Sequence, residues 1–164
     1  MPKLILTSND YPDAGALLRT LNYVQRSSMG GGYGVDPQYA YQQMMFVKNA
    51  YYKTEGVQLK HFVLSFSEKE QAVLDIDDLL RMGFETGRCM KEYQMVYNIH
   101  LDSDHIHLHG LMNTVSFLDG HKYCDGLVGF RTVCRHLESL YPGFHFEVRK
   151  GDPYYKGYMA KMTG

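Results

Sequence analysis

The sequence has no tryptophan and only three cysteines among 164 residues. Cys89, Cys124 and Cys134 are odd in number, widely spaced and lack any CxxC pair. That excludes a zinc ribbon and a disulfide framework, and reduced thiols in a cytoplasmic protein are the natural reading. No run of about 18 apolar residues occurs, so no helical membrane span is expected, and no signal-peptide pattern is seen. Charge of one sign is also missing: 17 Lys and Arg stand against 18 Asp and Glu, a formal net charge of −1. A uniformly basic nucleic-acid-binding surface is therefore excluded, but a local basic groove is not.

The length suits one domain with a real core, so neither disulfides nor a structural metal is needed to hold it. The expected domain covers residues 1–150, with 151–164 an irregular tail leading to further domains. Tyrosine is abundant at 14 copies, and for most of these a half-buried core position is the expected role.

Hydrophobic periodicity outlines the elements. Leu4 to Thr7 reads as a strand. Asp13 to Val24 reads as a helix with Leu17, Leu18, Leu21 and Val24 along its buried stripe. The glycines of Met29 to Gly34 predict a flexible segment. Asp36-Pro37 then starts a helix running to about Tyr52. Gln58 to Phe66 is a core strand, and Asp75 to Lys91 a long amphipathic helix. Tyr93 to Leu101 and His105 to Val115 are strands, and Asp119-Gly120 marks a turn. Leu127 to Tyr141 is a helix and Phe144 to Val148 a last strand. Mixed elements with a clear hairpin predict an α+β fold with a layered sheet.

Four of the eight histidines fall within ten residues, at His100, His105, His107 and His109. Residues two apart on a strand share a face, so His105, His107 and His109 project together while Ile106 and Leu108 turn to a core. A two-residue turn at Ser103-Asp104 places His100 opposite His107 and Asp102 opposite His105. Opposed residues share a face with β-carbons about 5 Å apart, so three imidazoles can converge on one ion. Neutral imidazoles bind divalent metals and leave positions open for substrate. His100, His107 and His109 are the expected ligands. His105, next to the turn, is expected beside the ion, and Asp102 is a catalytic carboxylate placed to orient one imidazole.

The pattern His100-x-Asp102-x-Asp104-His105-x-His107-x-His109, with Asn113 beyond it, resembles the metal motif of the HUH relaxases. The similarity is to their mobilisation and transferred-DNA-processing branch, whose motif carries an Asn just beyond the histidines, and it implies Asn113 beside the ion with His105. Leu21-Asn22-Tyr23-Val24 resembles that branch's N-terminal motif, with the catalytic tyrosine late in the first helix. Ala40 to Met45 and His61 to Phe66 resemble its helix and second-strand motifs. Ile106 stands where the branch usually has proline. The resemblance implies a five-stranded, mainly antiparallel sheet flanked by helices. It also implies nicking of one DNA strand at an origin of transfer, through a 5′-phosphotyrosine.

A phenol with a pKa near 10 needs help to act as a nucleophile, and a divalent ion, Mg²⁺ or Mn²⁺ by role, supplies it. Spacing alone does not choose among the tyrosines. The resemblance selects Tyr23, with Tyr51-Tyr52 next and Tyr39 and Tyr41 open. Arg26, Lys48, Lys53, Arg131 and Arg135 are candidate phosphate contacts. Ser65 is either a neighbour of the ion or a plain strand residue. The implied partners are single-stranded DNA with an adjacent hairpin, accessory relaxosome proteins and a coupling protein. The implied location is the donor cytoplasm, with passage alongside the DNA open. Rival readings are a replication initiator or transposase using the same chemistry, and a non-catalytic metal-binding module.

Overall fold

Period-two alternation assigns the side chains of each strand to two faces, and both faces here are covered by helices. The computed structural model describes residues 1–101 and 105–151. Among these residues, six strands form one sheet: β1 (Lys3–Leu6), β2 (Gly30–Tyr33), β3 (Leu59–Ser65), β4 (Met95–His100), β5 (His107–Asn113) and β6 (Glu147–Lys150). Their order across the sheet is β2-β4-β5-β3-β1-β6, and every pairing is antiparallel except β1 with β6. The helices are α1 (Ala14–Val24), α2 (Ala40–Ala50), α3 (Glu68–Gln71), α4 (Ile76–Cys89) and α5 (Leu127–Leu140). The α+β layered sheet is thus as the sequence implies.

Local chemistry starts the helices. The Asp13 side chain accepts the Ala16 amide at 2.7 Å and caps α1. Asp75 and Asp78 form a reciprocal capping box at α4. Asp36-Pro37 opens a single 3₁₀ turn (Pro37–Tyr39) before α2. Leu17, Leu21 and Val24 of α1 join Met44 of α2 against Leu59, Val96 and Leu111 of the sheet, whereas Leu18, expected on the same stripe, is exposed, since it lies about 100° round the helix from Leu17. The opposite face is larger. There Phe62, Leu64, Tyr97, Ile99, Leu108 and Met112 pack under Leu79 and Met82 of α4 and Phe130, Val133 and Leu137 of α5.

The sixth strand is β2, in the segment whose glycines predict flexibility. Its residues pair with β4, Gly30 opposite Asn98 and Gly32 opposite Val96. A β-carbon at Gly30 would strike the Tyr97 carbonyl, and one at Gly31 the Tyr97 ring. These glycines serve close approach in a paired edge strand, a tertiary demand that local propensity does not display.

The β4–β5 hairpin has the register that a two-residue turn predicts, with His100 opposite His107 and Asn98 opposite His109. Asp102, Ser103 and Asp104, the inner residues of that connection, lie outside the described residues, as does the expected tail from residue 152 onward.

Gly110 lies between Tyr97 and Phe62 in register, and a β-carbon there would enter the Phe62 ring. Phe62 is fully buried and has little room to yield. Gly110→Ala is therefore expected to cost ~1–3 kcal/mol as overpacking. Urea unfolding checks this, and an unchanged midpoint would show that the Phe62 ring can move aside.

Candidate active site

The odd-numbered residues of β5 face α1, and so do His61 of β3 and His100 of β4. Register therefore gathers imidazoles from three adjacent strands beneath the last turn of α1. The His100 and His109 rings stack with centroids 4.0 Å apart, the His61 and His109 rings with centroids 5.3 Å apart. His107 meets His109 edge-on at 6.2 Å, with Ser65 directly across from His107 on β3. Tyr23 stands nearly perpendicular to His100, His109 and His61, at 5.4, 5.5 and 6.2 Å. The Arg26 guanidinium lies over the Tyr23 ring, 4.7 Å from its centre. An open cleft of about 420 Å³ adjoins the group, lined by Arg26, Ser27, Met29, His100 and Leu101.

Hydrogen bonds fix this assembly to the scaffold. His100 Nε2 donates to the Val24 carbonyl at 2.8 Å, taking up an acceptor left open at the end of α1. That bond ties the strand carrying His100 to the helix carrying Tyr23. His61 Nε2 and His109 Nδ1 share a proton at 3.0 Å. Burial disfavours charge on these rings. The His61 ring is pushed down to about 3 by desolvation and by nearby His100. His109 is held well below the usual histidine range by desolvation first, then by His61, His100, His107 and Arg26. Both rings are thus neutral at physiological pH and keep a lone pair each.

The family model described as "Relaxase: MobA/VirD2-like, nuclease domain" matches residues 20–141, most of the chain and all of the histidine-bearing strands. The chain belongs to the MobA/VirD2-like relaxases. It is also similar to "Protein rlx" of Staphylococcus aureus, 29% identical over 107 residues. That match covers 64% of this chain and 32% of the relative, so the chain spans about a third of the relative's length. No solved structure matches it.

In this relaxase domain the donor chemistry of the histidine cluster suits the divalent ion that the family resemblance implies. Its rings stack rather than converge, and among the described residues no group of three His, Cys, Asp or Glu stands ready around one point. Of the tyrosines considered, Tyr23 is the one against the histidines. Tyr51 donates its hydroxyl to the Phe117 carbonyl at 3.1 Å, Tyr52 is exposed beyond α2, and Tyr39 and Tyr41 line the start of α2. Asp102 lies outside the described residues, and His105 is exposed at the edge of the hairpin.

The expected contacts fall at different places in the fold, and one needs correction. Lys48 is not a surface cation: it is 1% exposed, and its amine donates to the Gln58 carbonyl at 2.7 Å and Asn113 Oδ1 at 2.6 Å. Burial, then Lys122, lowers its pKa to about 7. A helix position that faces the sheet buries even a long charged side chain when acceptors await it. Asn113 is correspondingly tied to Lys48 and Gln94, at the far end of β5 from His107. Lys53 follows α2 on the way to that same end. Arg131 and Arg135 are exposed on α5, which packs on the opposite face, so the sheet separates them from the histidines. Arg26 is the expected cation that the fold brings to the site. His61 is the residue that sequence reasoning missed. A lone histidine on an apolar strand reads as core, and only the pairing of β3 with β5 sets it beside His109.

The lowered histidine values carry a sign for stability. An unfolded ring takes up a proton near pH 6.5, whereas folded His61 does so near 3 and His109 also far lower. Between these limits the unfolded chain binds more protons. The stability contribution is complete above about pH 6.5 and is lost progressively as pH falls toward 3. Lys48 acts in a separate window above pH 7, where stability rises with pH. The urea midpoint is thus expected to fall between pH 7 and pH 5, and a flat profile would show that both rings reach water.

Proposed function

We propose that this domain nicks one DNA strand at an origin of transfer, with Tyr23 as nucleophile. The observation that carries this reading is the contact of one buried tyrosine with three histidines beneath an arginine. Tyr23 Oη attacks the phosphorus, the phenolic proton is lost, and a 5′-phosphotyrosine forms. The bond to the 3′-oxygen breaks, and that oxygen leaves as a hydroxyl. The step exchanges one phosphodiester for another, so the reverse reaction reseals the strand without ATP.

His100, His107 and His109 hold a divalent ion, Mg²⁺ or Mn²⁺, in this reading. When bound, the ion offsets charge on the scissile phosphate and lowers the barrier to attack. Arg26, exposed at the end of α1, meets a phosphate from the cleft beside His100. The packing of Tyr23 against the histidines restricts the phenol to one approach, which is a positional advantage for in-line attack. Asp102, outside the described residues, is in this reading the carboxylate that orients an imidazole. The partner is single-stranded DNA beside a hairpin, assisted by accessory relaxosome proteins and a coupling protein, in the donor cytoplasm. Among the described residues no helix is long and apolar enough to cross a membrane.

Tyr23→Phe keeps the ring and removes one oxygen, so packing should change little. It should lose nicking and the covalent protein–DNA adduct while holding an origin oligonucleotide nearly as well as wild type. A denaturing gel with labelled oligonucleotide and Mn²⁺ reads the adduct, with Tyr51→Phe as the unaffected control. A normal adduct from Tyr23→Phe would move the nucleophile elsewhere.

His107→Ala should abolish cleavage and leave the fold largely intact, whereas His105→Ala, at the exposed edge, should lose less. Equal losses in the two variants would overturn the ligand assignment, and wild-type cleavage in EDTA would overturn metal dependence.

A further inference from the structure

A file of hydrogen bonds runs from His109 to the end of β1. His109 Nδ1 lies 3.0 Å from His61 Nε2, His61 Nδ1 lies 3.3 Å from Tyr11 Oη, and Tyr11 Oη lies 2.8 Å from Thr7 Oγ1. His109, His61 and Tyr11 are all more than nine-tenths buried. Tyr11 holds a backbone φ of 44°, in the left-handed region that non-glycine residues seldom adopt. Its carbonyl is secured by the Gln58 amide at 2.9 Å, and its ring joins the apolar cluster of Leu17, Leu21 and Tyr23. A strained backbone that aims one hydroxyl at a buried histidine marks a position whose geometry is over-determined by its surroundings.

A neutral imidazole carries one N–H, so the file must run in one of two directions. In one, Thr7 donates to Tyr11, Tyr11 to His61 and His61 to His109. His109 then carries its own hydrogen on Nε2, and no lone pair remains there for a metal. In the other, His109 Nδ1–H donates to His61 Nε2, His61 Nδ1–H to Tyr11 Oη, and the Tyr11 hydroxyl to Thr7 Oγ1. His109 Nε2 then keeps its lone pair. We infer that His61 is a positioning residue, which holds His109 as the Nδ1–H tautomer and so keeps an Nε2 lone pair with which His109 would hold the ion, while Tyr11 and Thr7 order His61 in turn. This inference rests on His109 being a ligand, as proposed above.

Ligating histidines ordinarily donate their second N–H to a carboxylate, a carbonyl or water. An imidazole in that place is uncharged. A carboxylate so deeply buried would cost a large desolvation energy, and it would repel a DNA phosphate brought to the same site. The histidine orients its neighbour without either penalty.

Two measurements test this. In metal-free wild-type protein with ¹⁵N-labelled histidine, long-range ¹H–¹⁵N correlation reads each tautomer. Nδ1–H is expected at both His109 and His61, and Nε2–H at His109 overturns the inference whatever the metal does. Calorimetric titration with Mn²⁺ then compares wild type, His61→Leu, His61→Gln and His107→Ala. His61→Leu should bind Mn²⁺ about tenfold or more weakly. His61→Gln, whose amide oxygen can accept from His109, should recover most of that loss. A merely structural role would not be rescued in this way. Mn²⁺ affinity lost in His107→Ala but unchanged in His61→Leu overturns the inference alone. No Mn²⁺ binding by wild type overturns the ligand assignment and the inference with it. Should His61→Leu fail to fold, the wild-type tautomer decides.

Discussion

The antiparallel register of β4 with β5, and of β5 with β3, is the constraint on which the site depends. It sets His100 opposite His107 and carries His61 to the flank of His109. A slip of one residue would turn every one of these side chains to the other face. His107 and His109 would then enter the core under α4 and α5, and Leu108 would face Tyr23. The register is in turn secured by that core. Leu108, Ile99 and Leu64 are fully buried on the far face, and Gly110 leaves room for the Phe62 ring.

The sheet therefore has one structural and one chemical face. The first is covered by α4 and α5 over a continuous apolar layer. The second is apolar where α1 and α2 rest on Leu59, Val96 and Leu111, and carries imidazoles toward the end of α1. Burial there has a chemical result, because it holds His61 and His109 neutral. The same stacking of rings that excludes water leaves lone pairs on nitrogen. The His100 bond to the Val24 carbonyl joins this face to the helix of Tyr23.

Much of the fold was legible because its signals are local. The capping aspartates Asp13 and Asp75, the apolar stripe of α1 and the alternation through His107 to Asn113 each mark an element without reference to the rest of the chain. The histidine hairpin was legible for the same reason, since His100 to His109 lie within ten residues and the two strands that carry them are consecutive. The strand Gly30–Tyr33 was not, because glycine carries no side-chain pattern and its pairing with β4 spans more than sixty residues. Lys48 was misjudged because a helix's outer and inner faces are told apart only by what packs on them. Its acceptors, Gln58 and Asn113, come from distant positions.

By itself, then, the sequence determined the α+β class, the approximate places of the longer helices though not the short α3, the pairing of His100 with His107 and the membership of the relaxase family. These follow from residues close in the chain, or from motifs whose order is written in it. Only the tertiary structure decided that Tyr23, rather than Tyr51 or Tyr52, stands against the histidines, that Arg131 and Arg135 lie behind the sheet, and that His61 backs His109. Each of these depends on which elements become neighbours and which face they share. That is set by the burial of two apolar layers at once, a property of the whole chain and not of any segment of it.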